Sequence, residues 1–169
     1  NGKNLLHTNF AGLEMENPTC LASGIMGYSA ESMQRIAKAG AAAVVTKSVG
    51  ATARMGYANP TIVQAKCGLI NAIGLPNPGI DEYIQEIRYA KTLLHVPLIV
   101  SVYGYTAEEY AEIARKAEQS GADAIELNVS CPHVKDTGTE IGQNPRTLTE
   151  VIKAVKASVQ KPVIVKLSP

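Results

Sequence analysis

The chain has 169 residues, of which 46% are hydrophobic and 18% charged, and its formal net charge is +1. This composition is typical of a globular domain, and it argues against disorder and against a nucleic acid or a membrane surface as the main partner. Every apolar run is shorter than the roughly 18 residues of a membrane span. The three cysteines are far apart, which favours a cytoplasmic location over a disulfide framework.

Five short apolar runs are predicted strands. Each run is nearly continuous rather than alternating, which is typical of parallel strands buried on both faces. In chain order the runs are 19–22, 43–45, 98–102, 124–127 and 163–167. The long segment 50–78 is rich in Gly and Pro, and we expect it to form a functional loop or a small excursion from the sheet.

Four main helices are predicted between these strands. Ser29, Thr106 and Asn144 are residue types that cap helix N-termini, and each precedes a segment with apolar residues on one helical face. The remaining helix begins at Ile80 and carries an apolar stripe that only Lys91 interrupts. The pattern therefore alternates strands with helices, as in α/β folds.

Two α/β architectures fit this alternation, a doubly wound open sheet and a (β/α)8 TIM barrel. Segments 39–44 and 120–125 resemble each other, and each combines a helix end, a turn and a strand start, which indicates repeated βα units. A complete barrel usually has about 250 residues, and the sequence stops at Pro169, directly after a predicted strand. We therefore expect a single domain over 1–169 that supplies about the first five strands of a barrel.

Polar residues follow several predicted strands, at the ends where barrels carry their active sites. Lys47, Asn128 and Lys166 stand at three of these ends, and together they suit an anionic or carbonyl-rich ligand. Each residue alone is more often a side chain that leaves the core for water. The run 71–77 (NAIGLPN) is either an ordinary loop or a backbone cradle for a flat polar ligand.

Cys131 is the candidate for thiol chemistry, because it follows Asn128 and precedes Pro132 in a predicted strand-end loop. A free cysteine is more often a buried and inert residue, so spacing alone leaves both interpretations open. The sequence has no HExxH, CxxC, P-loop or GxGxxG motif, so zinc, P-loop nucleotide and Rossmann dinucleotide sites have no support.

The chain resembles the class 1 dihydroorotate dehydrogenases in five motifs that occur in the same order. The motifs are 21–24 (LASG), 46–48 (TKS), 71–77 (NAIGLPN), 128–132 (NVSCP) and 165–169 (VKLSP). The similarity is greatest to the catalytic subunit of the NAD-linked class 1B type, and it suggests an archaeal source. The resemblance covers the N-terminal part of that subunit. It implies an FMN-binding TIM barrel that oxidises dihydroorotate to orotate in pyrimidine biosynthesis. It also implies a homodimer or a heterotetramer with an iron–sulfur flavoprotein subunit for electron transfer.

The resemblance also implies a role for each motif. Cys131 would be the base that takes the proton from C5 of dihydroorotate, while FMN takes the hydride from C6. The residues implied to contact FMN are Ala22, Ser23, Gly24, Lys47, Ser48, Ser101, Asn128 and Lys166. The residues implied to contact the substrate are Lys47, Asn71, Ala72, Ile73, Gly74, Leu75, Asn128 and His133. No metal site is expected.

Two residues depart from the family pattern. His133 stands where the family commonly has Asn, and dihydropyrimidine dehydrogenases, related flavin barrels that act on uracil or thymine, have a similar Cys-Pro-His run. Ser101 stands where the third strand often has Asn. The loops expected to hold the flavin phosphate follow the last two strands of a barrel. The Cys-Pro-His run leaves a dihydropyrimidine dehydrogenase as one alternative. Because the phosphate loops follow strands beyond the five that are predicted, a non-catalytic half-barrel fragment that holds no flavin is the other alternative.

Overall fold

The computed structural model describes residues 5–130 and 139–168 of the chain. The strands in these ranges are β1 (Thr8–Phe10), β2 (Leu13–Met15), β3 (Cys20–Leu21), β4 (Ala43–Val45), β5 (Ile62–Ala65), β6 (Gly68–Asn71), β7 (Leu98–Val102), β8 (Ala124–Asn128) and β9 (Val163–Lys166). The α-helices are α1 (Ala30–Lys38), α2 (Ile80–Leu93), α3 (Ala107–Gln119), α4 (Thr139–Gln143) and α5 (Pro145–Ser158), and a 3-10 turn covers Ile25–Gly27. None of the described helices is both long and apolar enough to cross a membrane.

The central sheet contains the five strands that the sequence predicts, all parallel, in the order β3-β4-β7-β8-β9. Consecutive strands of the sheet are neighbours, as in a barrel, and the long helices α1, α2, α3 and α5 all contribute to the core on one face. A doubly wound sheet would carry helices on both faces. The curved sheet is therefore half of a barrel, which confirms the predicted fold class.

The two faces of the sheet have different partners. On β7, Leu98 and Val100 point outward into the large core formed with the helices. The next residue in the alternation, Ile99, points to the barrel interior and packs with Leu13 and Met15 of β2. The hairpin β1–β2, which the sequence analysis missed, therefore covers the interior near the amino ends of the strands. The opposite, carboxyl ends remain available for a site.

The predicted helix caps are present in the structure. The side chains of Ser29 and Thr106 accept hydrogen bonds from backbone N–H groups of the first helical turn, and Asn144 Oδ1 accepts two. Lys91, the polar interruption on α2, pairs with Asp123 across 2.7 Å between Nζ and Oδ2. Its charge therefore has a partner in the turn before β8, which explains a lysine on an otherwise apolar stripe.

The two similar segments at 39–44 and 120–125 are structurally equivalent corners. Each contains a glycine with a left-handed backbone, Gly40 at φ +112° and Gly121 at φ +113°, directly after a helix. The segment 50–78 is the predicted excursion, and its central part is the antiparallel hairpin β5–β6. This hairpin rises beside the carboxyl ends of β3 and β4, because its residues line the same cleft as theirs.

Candidate active site

A cleft of about 460 Å³ lies between the carboxyl ends of β3 and β4 and the hairpin β5–β6. Its volume is within the range of small-molecule sites. The predicted site residues that line it are Ala22, Ser23, Gly24, Lys47, Asn71, Ile73, Gly74 and Leu75. Apolar side chains, among them Ile25, Ile62 and Leu69, complete the wall. The predicted residue Ala72 is not among the residues that line the cleft, and its N–H donates to Thr61 O (2.8 Å), directly before β5.

Three more predicted residues form a hydrogen-bonded network behind Ser23. Ser23 Oγ lies 3.0 Å from Ser48 Oγ, and Ser48 Oγ lies 2.9 Å from Ser101 Oγ. Asn128 Nδ2 donates to Ser48 Oγ across 2.9 Å. The ends of four neighbouring strands are thereby joined by side chains, at the edge of the sheet where barrels carry their active sites. Ser48, Ser101 and Asn128 are all buried.

Glu126 continues the network and was missed by the sequence analysis. It lies on β8, is 7% exposed, and its Oε1 accepts a hydrogen bond from Ser101 Oγ (2.7 Å). The same oxygen is 2.8 Å from Nζ of Lys166 on β9. A carboxylate rarely sits inside an apolar strand unless it is paired. That anomaly in the run 124–127 (AIEL) was the available signal.

Asn77 holds the loop that carries the predicted substrate residues. Its Nδ2 donates to Leu75 O (2.9 Å) and to the Tyr103 hydroxyl (2.8 Å). Its Oδ1 accepts from the N–H groups of Gly50 (3.2 Å) and Gly79 (2.9 Å). Burial raises the pKa of Tyr103, so this hydroxyl stays protonated at neutral pH. The sequence analysis placed Asn77 in a turn-rich run without assigning it this role.

The backbone of this loop is shaped by two residues with positive φ. Gly74 has φ +79° and Leu75 has φ +53°, a left-handed conformation that is uncommon for leucine. Leu75 is buried, and Arg54 Nε donates to Gly74 O across 2.7 Å. The hydrogen bonds from Asn77 and Arg54 therefore hold a strained segment in place beside the cleft.

Replacing Asn77 with alanine should lower the free energy of unfolding of the complete natural protein by about 2–3 kcal/mol. The substitution leaves two buried N–H groups, those of Gly50 and Gly79, without their acceptor. Urea denaturation measures the change. The control is Asn9→Ala, at an exposed asparagine of the β1–β2 hairpin, which should cost less than about 1 kcal/mol. Equal losses in both variants would contradict a supporting role for Asn77.

Cys131 and His133 lie outside the described residues, so their roles stay predictions. The segment that leads to them is anchored at the end of β8, where the Tyr110 hydroxyl donates to Asn128 O (3.0 Å). Asn128 Oδ1 also accepts from Ser130 N (3.3 Å) and Ser130 Oγ (3.0 Å). Within residues 5–130 and 139–168, no group of three potential metal ligands is close enough to hold a metal ion.

The comparisons with known proteins agree with the sequence motifs. The family model described as dihydroorotate dehydrogenase matches residues 5–169. A protein of Methanocaldococcus jannaschii, described as dihydroorotate dehydrogenase B (NAD(+)), catalytic subunit, is 51% identical over 99% of this chain and 56% of its own length. A Pyrococcus abyssi protein with the same description is 50% identical over 98% of this chain and 54% of its own length. The chain thus spans about half the length of these relatives.

A solved structure supports the fold independently of close sequence similarity. The crystal structure of dihydroorotate dehydrogenase from Eimeria tenella, in complex with ferulenol, superimposes with a TM-score of 0.82 at 20% identity. The match covers 97% of this chain and 52% of that chain, so the five parallel strands correspond to about half of that protein. The family match over nearly the whole sequence and the shared half-barrel together show that the chain belongs to the dihydroorotate dehydrogenase family.

Proposed function

We propose that the protein is the catalytic component of an FMN-dependent dihydroorotate dehydrogenase, which forms orotate in pyrimidine biosynthesis. The observation that carries the proposal is the cleft at the strand ends, which Lys47, Asn71 and Ser23 line together. The Ser23 hydroxyl also contacts the buried Ser48, which accepts a hydrogen bond from Asn128. The relatives' printed names describe the same activity. In the complete natural protein, further strands would close the barrel around this cleft.

The residues at the cleft fit a flavin. An isoalloxazine is a flat ring system with an apolar dimethylbenzene end and a pyrimidine end that carries carbonyl and N–H groups. The cleft offers apolar side chains on one wall, Ile62 and Leu69, and hydroxyl and ammonium groups from Ser23 and Lys47 elsewhere. When bound, FMN would supply the hydride acceptor for the oxidation.

The oxidation of dihydroorotate breaks two C–H bonds. A proton leaves C5, next to a carbonyl, and a hydride leaves C6, so that a C5=C6 double bond forms. In this proposal the thiolate of Cys131 takes the proton, because a cysteine three residues after Asn128, at the end of β8, matches the family motif that supplies the base. Lys47 stabilises negative charge on the substrate, and the loop 71–75 binds its ring and carboxylate through side-chain amide and backbone groups.

The electron acceptor is proposed from the relatives' description as a catalytic subunit of the NAD(+)-linked type. That wording implies a second subunit, and we assign to it the transfer of electrons from the flavin to NAD through an iron–sulfur flavoprotein. A cytoplasmic complex, a homodimer or a heterotetramer, is part of the same proposal. Size-exclusion chromatography of the complete natural protein with and without the co-expressed partner measures the assembly.

The test of the function is flavin content and substrate choice in the complete natural protein. The purified protein should be yellow, with flavin absorbance near about 450 nm, and dihydroorotate should bleach that band under anaerobic conditions. Bleaching by dihydrouracil but not by dihydroorotate would instead support the dihydropyrimidine dehydrogenase alternative. A colourless protein that binds no added FMN would contradict the proposal and support a non-catalytic chain.

Two lysine variants, one at the cleft and one as a control, test the proposed substrate contact. Lys47→Met should weaken orotate binding to the flavin-loaded protein by about tenfold or more, because a charged contact to the substrate is lost. Lys38→Met, in the last turn of α1, is the matched control and should leave the affinity unchanged. Fluorescence titration with orotate measures both variants. Equal affinities would remove Lys47 from the substrate site.

A further inference from the structure

The hydrogen bonds behind the cleft have only one consistent set of directions, and the amide of Asn128 fixes the first of them. The backbone N–H of Ser130 can only donate, and it points at Asn128 Oδ1 across 3.3 Å. The other amide atom, Nδ2, therefore faces Ser48 and donates to its hydroxyl. Ser48 Oγ thus uses one of its two acceptor positions for Asn128.

The carboxylate of Glu126 fixes the direction at the other end of the network, because a charged carboxylate can only accept hydrogen bonds. Ser101 Oγ lies 2.7 Å from Glu126 Oε1, so the single proton of the Ser101 hydroxyl points at that oxygen. The contact between Ser48 and Ser101 (2.9 Å) must then be donated by Ser48. The paired ammonium of Lys166 on the same Oε1 stabilises the charged carboxylate that this order needs.

The same directions determine what the Ser23 hydroxyl offers to the cleft. Because the proton of Ser48 points at Ser101, the contact between Ser23 and Ser48 (3.0 Å) must be donated by Ser23. Ser23 has no second hydroxyl proton, so its remaining lone pairs can only accept. The chain therefore runs in one direction, from Ser23 through Ser48 and Ser101 to Glu126.

We propose that Glu126 is a positioning residue that fixes this direction, so that Ser23 presents a hydrogen-bond acceptor, and never a donor, to the occupant of the cleft. The ligand group that faces Ser23 must then bring an N–H or O–H donor. A carbonyl or an unprotonated ring nitrogen of the ligand at that point would face a lone pair of Ser23, and this contact is repulsive. Ser23 therefore discriminates among flat heterocycles by where they carry their N–H groups. The application of this acceptor role of Ser23 to FMN rests on the proposed function.

The directions can be tested without any ligand. Neutron diffraction from deuterium-exchanged crystals of the complete natural protein shows hydroxyl deuterons directly. We expect the deuteron of Ser48 on the line to Ser101, and the deuteron of Ser23 on the line to Ser48. A Ser48 deuteron that points at Ser23, or a deuteron on Glu126, would overturn the proposal whether or not the protein binds a flavin.

Coupling between Ser23 and Glu126, which are not bonded to each other, is the second test. FMN affinity is measured by fluorescence quenching in the complete natural protein. Ser23→Ala should weaken FMN binding by about tenfold, the effect of one lost hydrogen bond. In the Glu126→Leu background, where the chain has lost its final acceptor, the same substitution should weaken binding by less than about twofold. Equal penalties in both backgrounds would overturn the proposal.

Glu126→Gln is the conservative variant that separates direction from charge. Its amide oxygen can still accept from Ser101 and Lys166, so the penalty of Ser23→Ala should stay near tenfold. Loss of the penalty in this background would mean that the charge and not the direction matters. If Glu126→Leu does not fold, Ser101→Ala cuts the same chain without removing the ion pair, and the same loss of coupling is expected. Glu86→Gln, a carboxylate bonded to Ala30 N at α1, is the matched control and should leave the penalty of Ser23→Ala unchanged.

The proposed function and this inference fail in different ways. A wild-type protein that binds no FMN contradicts the proposed function, while the neutron result still decides the hydrogen-bond directions. A wild-type protein that binds FMN but shows additive effects of Ser23→Ala and Glu126→Leu keeps the proposed function and removes the role of Glu126.

Discussion

Replacing Cys131 with alanine in the complete natural protein should slow the reduction of bound flavin by dihydroorotate at least about 100-fold. FMN and orotate should still bind, because a base contributes to proton removal and little to affinity. Stopped-flow absorbance under anaerobic conditions measures the rate, and equilibrium titration measures both affinities. A large loss in rate with unchanged binding is the result expected for a lost general base.

The residues around the strand ends leave few other bases. Lys47 and Lys166 are lysines, whose ammonium groups donate hydrogen bonds but cannot accept a proton, and Lys166 is engaged with Glu126. Amide side chains such as Asn128 cannot take a proton at neutral pH. Cys131 follows Asn128 by three residues in the sequence, and a cysteine thiolate is accessible near neutral pH when its surroundings are electropositive.

Two further variants make the result specific to Cys131. Cys131→Ser should regain part of the rate at high pH, since a serine alkoxide forms less readily than a thiolate. Cys67→Ala, at an exposed thiol between β5 and β6, is the control and should react at the wild-type rate. A wild-type rate in Cys131→Ala would place the base elsewhere, with His133 as the next candidate.

The sheet could be predicted because its signals are local. Strand β7 is a run of five buried residues, Leu98–Val102, and such continuous apolar runs read as parallel strands without any tertiary information. The caps Ser29 and Asn144 are equally local, since each bonds the first turn of its own helix. The hairpin β1–β2 was missed because its strands have only three residues each, too few to show a period.

The strand ends that carry the candidate site could be predicted from the sequence. The hydrogen bonds between their side chains could not, because they join residues that are far apart in the chain. Ser23 and Ser48 could be assigned to neighbouring strand ends, but the acceptor that orders them, Glu126, finds Lys166 forty residues further along the chain. Asn77 likewise finds the Tyr103 hydroxyl 26 residues away. The carboxylate in the apolar run 124–127 signals that Glu126 is paired, but the sequence does not name the partner of Glu126 or of Asn77, so only the folded arrangement reveals that these polar residues act together.

Gly27 links the fold to the site, because its segment lies directly against the backbone that carries Lys47. Gly27 O accepts from Lys47 N (2.8 Å) and from the Tyr83 hydroxyl (3.0 Å). A Cβ atom on Gly27 would clash with Val45 O and would lie 2.9 Å from Lys47 N. These are backbone atoms of the end of β4, so they cannot move aside as the tip of a flexible side chain could.

Gly27→Ala should therefore lower the free energy of unfolding of the complete natural protein by about 3 kcal/mol, as measured by urea denaturation. FMN affinity should fall in the same variant, because relief of the clash displaces Lys47 from the cleft. Gly68→Ala is the matched control: a Cβ there meets no atom within 4 Å, and the change should stay within about 0.5 kcal/mol. If Gly27→Ala were as stable as Gly68→Ala, the segment before α1 would have room to shift, and the close approach would not be what positions Lys47.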